Sequence, residues 1–331
     1  MAHKISRRKF LALAGASGIG VGLAACSTRE TPAPLTPTAP VTMSADEVDA
    51  ASEKAIKKFI ASIEQGSPTF FPRRLPFKLE GATKIFELTC QEILVEIKPD
   101  EKIPVLSFNG ALPAPEIRVT EGDKVRVIVR NSLKESTAIH WRGIRAANIM
   151  TGAPFIAQPP IKPGQTFVYE FVARPAGSHL YHSQHNAAEQ IARGLAGALV
   201  IEPQDKKSEP AFDSEYVMLI ADSPVGLTIN GKVFPLTAPI TAKPGERVRV
   251  RWMNAGGQSR ALNFHGGAMQ ILAQDGFALA NPQMLDTLSI APGQCVDALI
   301  IAPEPGMWAM DCAPDKIERG AIAMVSALIV K

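Results

Sequence analysis

A turn followed by a long alternating strand occurs twice in this chain of 331 residues. EGDKVRVIVRN at 121–131 and KPGERVRVRWMN at 243–254 share the pattern, the first leading to Ile139-His140 and the second to Phe264-His265. KPGQTFVYEFVARPAGSHLYH at 162–182 and APGQCVDALIIAPEPGMWAMDC at 291–312 each give a strand, a Pro-Gly turn and a second strand. Two copies of one β-sandwich, over 78–204 and 205–331, explain both echoes. Alternation of apolar with charged residues gives each strand one apolar and one charged face. The turns EGD, KPGQ, KPGE and APGQ read as hairpin signals. The fold class is therefore all-β, with 25 Gly and 27 Pro against few aromatic residues pointing the same way.

One helix is expected before the sandwiches, over 45–66. Ser44-Ala45-Asp46-Glu47 has the capping-box pattern, and Val48, Ala51, Ala55, Ile56, Phe59, Ile60 and Ile63 follow at helical spacing. Its apolar stripe is expected to pack on the body of the protein.

Residues 1–26 read as an address. Ser6-Arg7-Arg8-Lys9-Phe10-Leu11 precedes a mildly apolar Gly/Ala stretch, which resembles a bacterial twin-arginine export signal read through Arg7 and Arg8. Leu23-Ala24-Ala25-Cys26 also matches a lipobox, in which Cys26 would carry lipid; the segment 27–44, rich in Pro and Thr, reads as a tether. The expected location is the periplasm, with a membrane reached only through that anchor if Cys26 is lipidated, and the export machinery as a partner. The net charge of +3 belongs to the signal: without Lys4, Arg7, Arg8 and Lys9 the balance is 31 basic against 32 acidic residues. A nucleic-acid partner is thereby excluded.

FNGALPAPEIRVTEGDKVRVIVRN, STAIHWRGI, QPPIKPGQTFVYEF and AGSHLYHSQHNAAEQIARGLAGALVIEP resemble the first cupredoxin domain of multicopper oxidases. LTINGKVFP, KPGERVRVRWMNAG, FHGGAMQILAQDG and GMWAMDCAPDKIERGAIAMVSALIV resemble a later domain of that family. The resemblance covers about 80–331 and implies two cupredoxin-like Greek-key sandwiches and a copper cofactor.

The family's copper ligands can be followed residue by residue. Cys312 stands at the Cys of a type 1 centre, but Arg260 and Ile317 occupy the expected His positions and Ile322 the usual Met position. No working type 1 site is expected. The four His-x-His pairs of the trinuclear cluster read His140-Trp141-Arg142, His182-Ser183-Gln184, Asn263-Phe264-His265 and Asp311-Cys312-Ala313. Alternate residues on a strand share a face, which is what such pairs need; here three of eight ligands survive, so a laccase is not expected. The resemblance to two-domain copper nitrite reductases implies instead a single copper on His140, His182 and His265 between protomers, with His185 and Cys312 as weaker candidates, a homotrimer and an external electron donor. Arg142, always cationic, opposes a metal there, and Asp311 is expected to pair with it. His179 faces away from His182 by strand parity. Cys90, Cys295, Trp141 and Trp308 read as core residues.

Two function classes follow. One is a periplasmic copper-binding oxidoreductase with a reduced site, an enzyme if copper is bound. The other is a copper-free scaffold resembling the family's twin-arginine-exported cell-division member.

Overall fold

The computed structural model describes residues 44–65, 71–314 and 324–331. The export signal, Cys26, nearly all of the tether, Ile317 and Ile322 lie outside those residues.

The helix α1 (Ala45–Glu64) starts at Ser44, whose side chain accepts from the Glu47 amide while Glu47 reaches back to the Ser44 amide. Phe59 is its one buried residue and packs on Phe234 with ring centroids 5.1 Å apart. Ala51 and Ile56 of the apolar stripe remain exposed, so only the C-terminal half of the helix is docked.

The first sandwich contains β1 (Lys78–Glu80), β2 (Thr83–Lys98), β3 (Glu101–Phe108), β4 (Ile117–Thr120), β5 (Lys124–Asn131), β6 (Ile139–Arg142), β7 (Thr166–Val172), β8 (Gly177–Ser183) and β9 (Ala196–Glu202). One sheet has the order β1-β2-β5-β7 with β3 also on β2; the other has the order β4-β9-β8-β6. A short helix α2 (Ala187–Ala192) links β8 to β9.

The second sandwich contains β10 (Ser214–Ser223), β11 (Gly226–Ile229), β12 (Ile240–Ala242), β13 (Arg247–Asn254), β14 (Arg260–Phe264), β15 (Met269–Gln274), β16 (Phe277–Leu285), β17 (Thr287–Ile290), β18 (Cys295–Ile301), β19 (Gly306–Pro314) and β20 (Met324–Val330). Its sheets run β11-β10-β13-β18-β15-β16 and β12-β20-β19-β14-β17.

The sequence echo is an echo of topology. β5 pairs parallel with β2 and antiparallel with β7, just as β13 pairs parallel with β10 and antiparallel with β18. β4 pairs parallel with β9 as β12 does with β20, and β6 pairs with β8 as β14 does with β19. The four turn signals, however, close no hairpins. EGD and KPGE carry the chain from β4 to β5 and from β12 to β13, and KPGQ and APGQ lead into β7 and β18, in each case from one sheet to the other. Their glycines, Gly122, Gly164, Gly245 and Gly293, have φ between 76° and 89°, a left-handed turn conformation that glycine adopts without strain. Turn chemistry fixes the reversal; burial of two facing sheets decides which strand is the partner.

Each sandwich has its own apolar core. Phe86, Val127, Trp141 and Tyr181 are central in the first, and Val250, Trp252, Leu262 and Cys312 in the second. A third cluster joins them: Leu180, Ala198 and Val200 of β8 and β9 meet Val217, Leu219, Met253 and Cys295 of β10, β13 and β18. The outer faces of β8 and β9 are thus covered by the second sandwich.

Candidate metal centre

His140 and His182 face each other across the β6–β8 ladder as direct partners, with ring centroids 5.4 Å apart. Ile139 and Trp141 point into the first core, which turns His140 and Arg142 to the outer face, and His182 follows Leu180 on the same face of β8. The registers of two neighbouring strands therefore bring together two imidazoles separated by 42 residues in sequence.

Both rings are held in the same tautomer. His140 Nδ1 donates to the Thr151 carbonyl at 2.7 Å and His182 Nδ1 to the Ser183 carbonyl at 2.8 Å. A carbonyl oxygen only accepts, so each Nδ1 carries the proton and each Nε2 presents a lone pair. Neither Nε2 has a hydrogen-bond partner among the described residues. A backbone carbonyl fixing the far nitrogen is the usual outer-shell arrangement of a metal-binding histidine. Burial pushes His182 down to about 4; the Ser183 bond opposes the shift, while His140 and the Arg142 charge add to it. The ring is neutral at neutral pH.

The segment that carries His182 is pinned by buried hydrogen bonds. Ser183 Oγ donates to Gln190 Oε1 at 2.6 Å, Thr137 Oγ1 donates to the same oxygen at 2.8 Å, and Gln190 Nε2 donates to the Ser136 carbonyl at 2.9 Å. Gln190 was not singled out from the sequence, and nothing in the short run AAEQIA marks it. His185 lies beyond the strand end, its ring 6.1 Å from Phe155.

The other candidates do not join the pair. His265 Nε2 donates to Asp311 Oδ2 at 2.7 Å, an exposed contact of the second sandwich. Asp311 thus pairs with His265, not with Arg142 as expected; Arg142 Nε donates instead to the Gly293 carbonyl at 2.7 Å. Arg142 and Asp311 lie in different sandwiches, and each is met by another group, the Gly293 carbonyl and the His265 ring. Cys312 is buried in the second core, opposite Leu262 on β14, and burial pushes its thiol up to about 12. Arg260, at an expected imidazole position, is paired with Asp222. A buried, protonated thiol without an imidazole beside it does not fit a type 1 copper. His179 is buried, its Nε2 donating to the Pro175 carbonyl at 2.9 Å, and burial lowers its pKa. Among the described residues no group of three or more His, Cys, Asp or Glu side chains is arranged to hold one metal ion. The donor set of the described residues therefore does not fit a trinuclear cluster. It fits two ligands of a single copper, with the remaining positions open.

Known proteins place the chain. Residues 89–206 and 197–331 match two family models, each described as multicopper oxidase. Copper resistance protein A of Escherichia coli is 38% identical over 138 residues, which is 41% of this chain and 22% of that protein. Multicopper oxidase mco of Staphylococcus epidermidis is 28% identical over 264 residues, covering 71% of this chain and 57% of that protein. The chain thus spans about a fifth to just over half of the length of these curated relatives. Among solved structures, the blue copper oxidase from Nitrosomonas europaea superposes with a TM-score of 0.68 at 31% identity, covering 74% of this chain and 85% of that one. The two sandwiches are cupredoxin-like, and the chain belongs to the multicopper oxidase family, a family of copper-binding oxidoreductases.

Proposed function

We propose that this protein is a periplasmic member of the family that holds one copper ion on His140 and His182 and exchanges electrons with an external donor. The observation that carries the reading is the pair itself: two imidazoles side by side, each oriented by a backbone carbonyl at Nδ1 and each offering Nε2. Copper accepts such nitrogen donors readily and, when bound, supplies one-electron redox chemistry. The chain's own residues keep His182 neutral by burial and fix both tautomers, and Ser183 and the buried Cys312 support delivery of electrons from outside. A homotrimer would bring His265 of a neighbouring copy to the open positions. For that, His265 would present Nδ1, because Asp311 holds its Nε2. The export signal at Arg7 and Arg8, with lipid on Cys26, would place the protein at a periplasmic membrane face.

Copper titration of the exported protein tests this. The wild type should take up one Cu(II) per chain with nitrogen hyperfine structure in its EPR spectrum. The His140→Ala, His182→Ala double variant should lose it. Equal uptake by both would sink the reading. The second reading, a copper-free scaffold, draws on the Arg260–Asp222 pair and the core-bound Cys312, which occupy two of the type 1 ligand positions without offering a metal ligand. It gains if the wild type takes up no copper and still pulls down a defined partner.

A further inference from the structure

The cleft between the sandwiches contains a cation without a counter-ion. Arg142 leaves the outer face of β6 two residues beyond His140 and is anchored to the second sandwich by the bond from Nε to the Gly293 carbonyl. That bond uses one of five guanidinium donors. No carboxylate pairs with Arg142 among the described residues, whereas Arg118, Arg249 and Arg251 along the same boundary each contact at least two.

The cleft has a volume of about 430 Å³ and is lined by His140, Arg142, His179, Asp275 and Gln294 among others. Gln294 Oε1 accepts from the Ala291 amide at 2.9 Å, so its orientation is set and its Nε2 is left as a donor with no partner among the described residues. The one acid in the lining, Asp275, accepts from the Cys295 amide at 2.9 Å through Oδ1 and keeps its negative charge, with no ion pair joining it to Arg142 among the described residues. A charged fork and a neutral amide donor thus share one small cleft. Two parallel oxygens match a guanidinium fork geometrically as well as electrostatically, and anchoring through Nε reduces the freedom Arg142 would lose on binding.

We propose that this cleft binds a small carboxylate or similarly planar oxyanion, held by the Arg142 fork with the Gln294 amide as second donor. The site is independent of copper, because both donors belong to the chain and neither is one of the paired imidazoles.

Acetate is the probe, followed through saturation transfer to its methyl protons in the full chain stripped of metal with a chelator. The wild type should bind saturably in the millimolar range. Arg142→Gln should weaken binding at least tenfold, Gln294→Leu several-fold, and Arg126→Gln, on an outer sheet face, not at all. Equal affinity in Arg142→Gln, or no saturable binding by the wild type, would overturn the proposal. If Arg142→Gln does not fold, Arg142→Lys decides: it keeps the charge and loses the fork, so its affinity should drop, and unchanged affinity would overturn the proposal. The His182→Ala variant, whose ring is not part of the cleft lining, should still bind acetate while losing copper, which separates failure here from failure of the copper reading.

Discussion

β5 and β13 occupy the same place in the two sandwiches and read almost alike, KVRVIVRN and RVRVRWMN. Their fates differ. In β5 the charged face stays partly or fully exposed, with Arg126 bound to Glu170 and Glu80 at the surface. In β13 every residue after Arg247 is buried, including Arg249 and Arg251. The difference comes from what lies outside: the first sandwich's β8 and β9 cover the second sandwich's β10, β13 and β18, whereas the charged face of β5 is left partly open among the described residues. Burial of charge is possible there because each guanidinium is met. Arg251 Nε binds Glu215 at 2.6 Å and its Nη1 binds Asp297 at 2.9 Å and Ser178 Oγ at 2.8 Å. Arg249 forks onto Glu209 at 2.8 and 2.9 Å and shares Asp297 at 2.8 Å. Arg118 of β4 reaches Glu215 at 2.6 Å, so the network crosses the boundary between the sandwiches. One alternating pattern thus produces a solvated face or a buried ionic layer, and only tertiary context selects between them.

The largest effect is expected from breaking the buried layer. Burial works against the charge on Asp297, but Arg251 and Arg249 beside it outweigh that and hold its carboxyl below the usual range. Asp297→Ala would leave both arginines buried with a partner missing, which costs about 3–5 kcal/mol. Urea unfolding should show this as a lower midpoint, with the tertiary signal of the boundary lost first. A change under about 1 kcal/mol would mean that water reaches the layer and the comparison with β5 fails. Because the folded carboxyl titrates below its unfolded range, the contribution of Asp297 is present above about pH 4 and fades as pH falls further. Glu215 behaves likewise: burial opposes its charge, yet Arg251 and Arg118 keep it low.

The next effect is expected at the buried His182. His182 protonates near pH 6.5 when unfolded and at about 4 when folded. Metal-free stability is therefore full above about pH 6.5 and declines as pH falls towards 4, by about 3 kcal/mol at most. The unfolding midpoint of a His182→Gln variant should lack this slope between pH 6.5 and 4.5. An equal slope would place the sensitivity elsewhere. A third, smaller loss is expected inside the first sandwich. Gln190→Leu removes the shared acceptor of Thr137 and Ser183, and leaving buried hydroxyls short of partners costs about 1–3 kcal/mol. Copper uptake should weaken with it, since the segment after His182 loses its anchor; unchanged uptake would show that the ladder alone positions the ring.

What the sequence makes legible is what local chemistry controls. The Ser44–Glu47 cap, the turn glycines and the repeated strands all appear where their residues imply them. The pairing of His140 with His182 follows from strand parity plus register, and the family pattern supplies the register. The buried arginines are not legible, because β13 reads like β5. Nor is the partner of Asp311 or Arg142, since each choice depends on which loop of the other sandwich comes within reach.

The smallest effect sharpens the contrast most directly. Arg126 contacts Glu170 at 2.6 Å and Glu80 at 2.7 Å, distances as short as those around Arg251. Its surroundings differ: these side chains are open to water, where an ion pair gains little over hydration and is screened by salt. Arg126→Gln should leave the urea midpoint unchanged within the precision of the measurement, at low and high salt alike. Arg251→Gln, on the buried charged face of β13, should lower it clearly, because the fully buried carboxylate of Asp297 would lose one of its two guanidinium partners. If the two variants behaved alike, bond length rather than covering would govern these pairs, and the difference between the two charged faces would carry no energetic weight.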